Sequence, residues 1–173
     1  MSLRVINKMW TIIKFDKKNL ELLKKDFKKK LGEDITIYSP KIFIEKYKKN
    51  KLVGKEFNLL GDYLFCFHKK FQNPSTLNLL QYTKGLKYFL NGFYQSQDEI
   101  KIFIKKCKDA EDTKGHLTQS FIELCANSNY QFISGPFAER IFKIINMQKN
   151  KIRILLGDVK ATINKNSYLF NPI

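Results

Sequence analysis

The chain has 173 residues, 43% hydrophobic and 14% aromatic, and its 32 Lys+Arg against 16 Asp+Glu give a net charge of +16. That apolar content supports a packed core and excludes wholesale disorder, and the length suits one medium domain or two small ones. The basic excess points to a polyanionic partner, although a makeup of 29 Lys to 3 Arg is also what A+T-rich coding produces.

The opening MSLRVINKMWTIIKF is broken by Arg4, Asn7 and Lys8 and lacks the apolar run of ~7–15 residues found in a signal peptide. No stretch reaches the ~20 apolar residues of a membrane span. Met9–Phe15 is rich in Trp, Thr, Ile and Phe and reads as a strand. Asp16 offers an N-cap to a helix whose apolar stripe is Leu20, Leu23, Phe27 and Leu31, which lysines surround and Gly32 ends. Ile35–Tyr38 and Lys41–Tyr47 read as extended, with Lys48–Lys51 (KKNK) as a hairpin tip leading back through Leu52–Leu60. Asp62–His68 (DYLFCFH) reads as a central strand. On it Tyr63, Phe65 and Phe67 share one face, Leu64 and Cys66 the other; one face must be core, and the pattern leaves open which.

Asn73-Pro74 starts a helix carrying Leu77 and Leu80 that runs toward Gly85. Leu86–Leu90 is a further strand, and Ser96 with Glu99 forms a capping box for a helix with the stripe Ile100, Phe103, Ile104 and Cys107. After Lys108 the composition changes. Residues 109–128 hold four acids and one lysine, a charge of −3 in a basic chain, and read as a linker. Tyr130–Ile133, Ile141–Asn146, Ile152–Leu156, Val159–Ile163 and Tyr168–Phe170 then read as five short strands, which suggests a small barrel. Residues 136–148 also fit a helix through Phe137, Ile141, Ile144 and Ile145, an alternative that periodicity leaves open. The expected fold class is α+β: an N-terminal antiparallel sheet flanked by helices over 1–108, an acidic linker over 109–126, and a small five-stranded domain over 127–173.

Catalytic signatures are missing: no GxGxxG, GxxxxGK[ST], HExxH or GxSxG occurs. Cys66, Cys107 and Cys125 are odd in number and scattered, and His68 and His116 add no ligand set. Tetrahedral zinc needs about four converging ligands, so neither a metal nor a disulfide scaffold is expected. The expectation is a cytoplasmic, non-enzymatic protein without cofactor.

Motif order carries more. In sequence come Trp10, then Pro40 before a basic hairpin, then Leu60-Gly61-Asp62-Tyr63-Leu64-Phe65-Cys66, then Thr83-Lys84-Gly85-Leu86 with Phe89-Leu90, then Glu99-Ile100. Ile133-Ser134-Gly135-Pro136-Phe137-Ala138 and Leu155-Leu156-Gly157 follow the acidic stretch. This succession resembles the NusG family of transcription elongation factors, in which an N-terminal domain precedes an SH3-like KOW barrel. The resemblance implies a transcription elongation or antitermination factor that docks on the clamp helices of the largest RNA polymerase subunit. It implies Tyr63, Phe65 and Lys84 as polymerase-binding residues, and Phe137 and Leu156 as KOW contacts to a ribosomal protein or Rho.

Upstream DNA and nascent RNA are the further partners implied, to a monomer acting away from membranes. Leu60-Gly61-Asp62 replaces the usual Phe-Pro strand start, the polar jaw contact is not reproduced at Thr76-Leu77-Asn78-Leu79, and a glycine is missing after Phe137. Leu156 stands where housekeeping members carry an aromatic. These departures resemble an RfaH-type paralogue, whose KOW domain can also fold as a helical hairpin. A basic RNA- or ribosome-binding protein using the C-terminal barrel is the competing expectation.

Overall fold

The computed structural model describes residues 8–173; the reading of Met1–Asn7 lies outside them. In chain order the elements are β1 (Met9–Phe15), α1 (Leu20–Leu31), β2 (Thr36–Tyr38), β3 (Lys41–Lys48), β4 (Lys51–Asn58), β5 (Tyr63–His68), α2 (Pro74–Leu80), β6 (Leu86–Phe89) and α3 (Gln97–Asp109). They continue with β7 (Asn129–Phe132), β8 (Ile141–Met147), β9 (Lys151–Leu156), β10 (Val159–Asn164) and β11 (Phe170–Pro172). Among the described residues, 8–39 with 58–105 form one compact unit, and 40–57 with 106–173 form another.

In the first unit β1 is central. It pairs antiparallel with β5 and β6, and β2 extends the sheet beyond β5, in the order β2-β5-β1-β6. Strand alternation sends Ile13, Phe15, Leu64 and Cys66 to one face, where Leu23, Phe27 and Leu31 of α1 meet them with Phe71 and Leu80. Those α1 residues are four apart and fall on one stripe, as helical periodicity requires. Asp16 caps the preceding turn, accepting from the Lys18 N–H at 3.1 Å, and Gly32 ends the helix at φ 117°. The opposite face sends Trp10 and Phe65 against Phe93, Ile100 and Ile104, the last two from α3. Both faces of β5 are therefore core along its middle, which resolves the alternative left by the sequence pattern.

Asn73 caps α2 by accepting from the Ser75 N–H at 3.0 Å, with Pro74 in the first turn. The helix stops at Leu80 rather than near Gly85 because the chain tightens: the Thr83 N–H bonds back to the Leu80 carbonyl at 2.8 Å. Gly85 then takes φ +90° against the start of α1, where an added Cβ would lie 2.9 Å from the Asn19 carbonyl oxygen.

In the second unit β3 and β4 form a hairpin whose two turn residues, Lys49 and Asn50, both have positive φ, 49° and 60°. That is the primed type I geometry whose twist matches the flanking strands. By sequence this hairpin belongs with residues 1–108 and 109–126 is a linker. Its hydrogen bonds instead join it to the later segments. The Leu117 N–H donates to the Lys41 carbonyl at 2.7 Å, and the Glu45 N–H donates to the Ile133 carbonyl at 2.7 Å. Glu45 also accepts from the Gly135 N–H at 2.7 Å. Glu56 receives Lys41 at 2.6 Å and His116 at 2.8 Å, and both bonds hold its carboxyl below the usual range, Lys41 first. Such pairings link residues far apart in the chain, which no local pattern announces.

The C-terminal strands form one antiparallel sheet in the order β10-β9-β8-β7-β11. Its core is Tyr130, Phe132, Phe142, Ile144, Ile152, Ile154 and Phe170. Phe142 and Ile144 point inward two residues apart while Ile141 is 54% exposed. The period is two, so 141–147 is a strand here and the helical stripe through Ile141 is unused.

Candidate functional site

Strand β1 carries one charged residue, Lys14, and antiparallel register sets its neighbours. Tyr63 of β5 lies opposite on one side and Tyr88 of β6 on the other. Paired residues share a sheet face, so Tyr63, Lys14 and Tyr88 make one row across three strands. The Lys14 ammonium sits 5.3 Å from the Tyr63 ring centroid and 5.8 Å from that of Tyr88, within cation–π range. The two phenol oxygens are 3.0 Å apart.

Each group alters the others. The hydrogen bond with Tyr88, then the Lys14 charge, lowers the Tyr63 phenol below its ordinary value, while the same bond raises Tyr88. Lys14 is raised, chiefly by Tyr63 and next by Tyr88. The two hydroxyls share one hydrogen bond in which either oxygen can donate, and the lysine between them stays charged at neutral pH.

Two residues further along the same face the surroundings change. Phe65 is 3% exposed and packs among Trp10, Phe93, Ile100 and Ile104, with its ring edge-on to Trp10 at 6.2 Å and tilted against Phe103 at 5.9 Å. It reaches no surface. As a polymerase-binding residue it is corrected by that burial: α3 covers it, and what it provides is the packing beneath the Tyr63 row. Tyr63 is half-buried and lies outside that cluster, and Tyr88 is 45% exposed.

Tyr88 also borders an open groove of about 420 Å³ lined by Leu77, Asn78, Gln81, Tyr82, Lys87 and Phe89. Tyr82, in the turn after α2, is 84% exposed, and Leu79, on the helix, 64%. Lys84, the third residue expected in the interface, is exposed in the turn before Gly85, next to Thr83, whose hydroxyl accepts from Lys30 at 2.9 Å. The structure brings Tyr63 to Lys14 and Tyr88, and it does not bring Lys84 into contact with them.

Sequence reasoning missed Lys14 and Tyr88. Each is the outward residue of an alternating strand, MWTIIKF and LKYF, but their meeting depends on the pairing β5-β1-β6, which the two segments do not reveal separately.

In the C-terminal unit, Phe137 is 39% exposed and packs against Phe132 at 5.6 Å and Tyr168 at 5.9 Å. Leu156 ends β9, half-buried against the sheet's core, before a two-residue turn whose first residue, Gly157, has φ 59°. Phe137 and Leu156 lie on different segments, the first before β8 and the second at the end of β9. His68 ends β5 fully buried. Its Nδ1 accepts from the Lys70 N–H at 3.2 Å, so its Nε2 carries the proton donated to Asp34 at 3.0 Å. Burial pushes the Cys66 thiol well above its ordinary value, which makes it inert.

Among the described residues, no group of three or more His, Cys, Asp or Glu could hold a metal, and no helix is long and apolar enough to cross a membrane.

No family model matches the chain, and no curated protein matches it. Among solved structures it is similar to a chain of the MjSpt4:Spt5 complex in conformation B, at 13% identity over 95% of this chain and 98% of that one, with TM-score 0.32. It is similar also to NusG of Thermotoga maritima, from a study of domain interaction, at 13% identity over 92% and 93%, with TM-score 0.35.

Proposed function

We infer that this chain is a non-enzymatic transcription elongation or antitermination factor of the NusG kind, which binds RNA polymerase through the Tyr63 face of its first sheet. The observation that carries the reading is the Tyr63–Lys14–Tyr88 row. It is a partly exposed aromatic row on a sheet that is otherwise covered on both faces, in the segment where the motif order resembles the polymerase-docking strand. Aromatic groups near the centre of a contact supply much of its energy, and a lysine held between two phenols adds a fixed charge for an acidic helix surface. The partner surface is the clamp helices of the largest subunit, with Lys84 at the rim.

In this reading 1–108 is the NusG-like domain, 109–126 a linker that is hydrogen-bonded to the β3–β4 hairpin, and 127–173 a five-stranded SH3-like KOW domain of a specialised, RfaH-type paralogue. Phe137 and Leu156 contact its second partner. The test is recovery of polymerase by the tagged full chain from nuclease-treated lysate. Wild type should retain polymerase after nuclease, and Tyr63→Ala should lose most of it. Loss of polymerase from wild type on nuclease treatment, or equal recovery by both proteins, would overturn the reading.

A further inference from the structure

The chain contains a single Asn-Gly step, Asn91-Gly92, in the turn between β6 and α3. That dipeptide carries a chemistry of its own. Attack of the Gly92 backbone nitrogen on the side-chain carbonyl carbon of Asn91 closes a five-membered ring, and glycine, having no Cβ, leaves the approach open.

The fold keeps both reacting groups accessible. Asn91 and Gly92 are exposed, and a Cβ built on Gly92 would meet nothing within 4 Å. Gly92 takes φ +85°, a conformation that favours glycine at this position. Among the described residues, neither the Asn91 side-chain amide nor the Gly92 N–H has a hydrogen-bond partner. Other asparagines are held. The Asn58 amide donates to the Gly61 and Tyr63 carbonyls, both at 2.9 Å, and the Asn19 amide to Asp16 at 2.6 Å. At Asn166-Ser167 the Ser167 N–H donates to the Asn164 carbonyl at 3.2 Å, which occupies the nitrogen that would attack.

The residues on either side of the step are fixed. The Leu90 N–H donates to the Ile12 carbonyl at 2.8 Å, which holds the end of β6 on β1. Phe93 is 5% exposed and packs with Trp10, Phe65, Ile100 and Ile104, and its carbonyl accepts from the Gln97 side chain at 2.6 Å. Asn91 and Gly92 therefore span the gap between the sheet and the core contact of α3. Rerouting the main chain through the Asn91 side chain adds one methylene to that span, and one of the anchors must shift to take it up.

We propose that Asn91-Gly92 is a spontaneous modification site whose isoaspartyl product loosens the attachment of α3 to the sheet. The Gly92 nitrogen bonds to the Asn91 side-chain carbonyl carbon, and its proton leaves with the amide group as ammonia. Water then opens the cyclic imide. Opening at one carbonyl gives aspartate, and at the other isoaspartate, in which the main chain runs through the former side chain. One asparagine and one water give one acid and one ammonia without a redox step, and the net charge falls by one from +16. The isoaspartyl carboxylate is the substrate class of isoaspartyl-specific carboxyl methyltransferases.

The test is ageing of the full chain in mildly alkaline buffer, followed by mass spectrometry of the tryptic peptide 88–101, in which Asn91 is the only asparagine. Conversion at 91 should run within about tenfold of its rate in a synthetic peptide of that sequence, a restraint by the fold of at most about 1.4 kcal/mol on the barrier. The product should accept a methyl group from labelled S-adenosylmethionine through an isoaspartyl methyltransferase. Asn91→Gln, which cannot close the five-membered ring, should give neither signal. Conversion slower than that limit, or earlier conversion at Asn127 or Asn166, would overturn the site. Asn91→Asp separates the charge from the backbone change. Hydrogen exchange at the Trp10 N–H, which is bonded to Gln97, should be faster in the isoaspartyl chain than in that variant, and equal exchange would overturn the loosening of α3.

Discussion

Three side chains show how position on one strand decides what a residue can do. Tyr63 and Phe65 are two residues apart on one face, yet the first is half-buried beside Lys14 and the second is core under α3. Phe65→Ala should cost about 3–5 kcal/mol by cavity formation, measurable by urea unfolding, and is therefore a probe of folding. Tyr63→Phe keeps the ring and should change stability by less than about 0.5 kcal/mol. It should also remove one tyrosinate step from an ultraviolet titration, that of a phenol lowered by Tyr88 and Lys14.

Asp34 offers a second titration. Its carboxyl is lowered first by the His68 hydrogen bond, so the stability it contributes is present above its unfolded-state value and lost as pH falls through the lowered folded value. The stability gap between wild type and Asp34→Asn should therefore be present at neutral pH and close in that acid range. A constant gap would assign the effect to something other than ionisation.

At the scale of elements, side chains finish what strand pairing leaves incomplete. β6 covers only the end of β1, with Ile13 opposite Phe89. At Trp10 the side-chain amide of Gln97 takes the place of the missing strand, accepting from the Trp10 N–H at 2.9 Å and donating to its carbonyl at 2.7 Å. Gln97→Ala should destabilise by about 2–3 kcal/mol, since two inner backbone groups lose partners, and hydrogen exchange at Trp10 should accelerate.

Gln97 was legible in the sequence only as part of a helix start, because a side chain that replaces a strand depends on where β6 ends. The strands and helices themselves were legible to within a few residues wherever apolar period and caps agreed, as at Asp16, Asn73 and Gly32. The hairpin's turn was legible as a position, while its partners were not. Glu45, Glu56 and Lys41 bond to residues some 60 to 90 positions away, and local composition holds no record of such pairing.

For the whole molecule, a charge of +16 proves less informative than its arrangement. Its ion pairs lie at the surface and are each worth about 0–1 kcal/mol, and the excess is lysine spread over both units. The candidate site was half legible. Tyr63 came from motif order, whereas Lys14 and Tyr88 required strand register, and Phe65 required knowing which part of the sheet α3 covers.

The central claim is that the Tyr63 row is a polymerase-docking surface, and the most direct measurement is the affinity of the purified chain for purified core RNA polymerase. Tyr63→Ala should weaken it at least tenfold, about 1.4 kcal/mol or more, with an unchanged circular dichroism spectrum. Equal affinity of wild type and Tyr63→Ala would contradict the account.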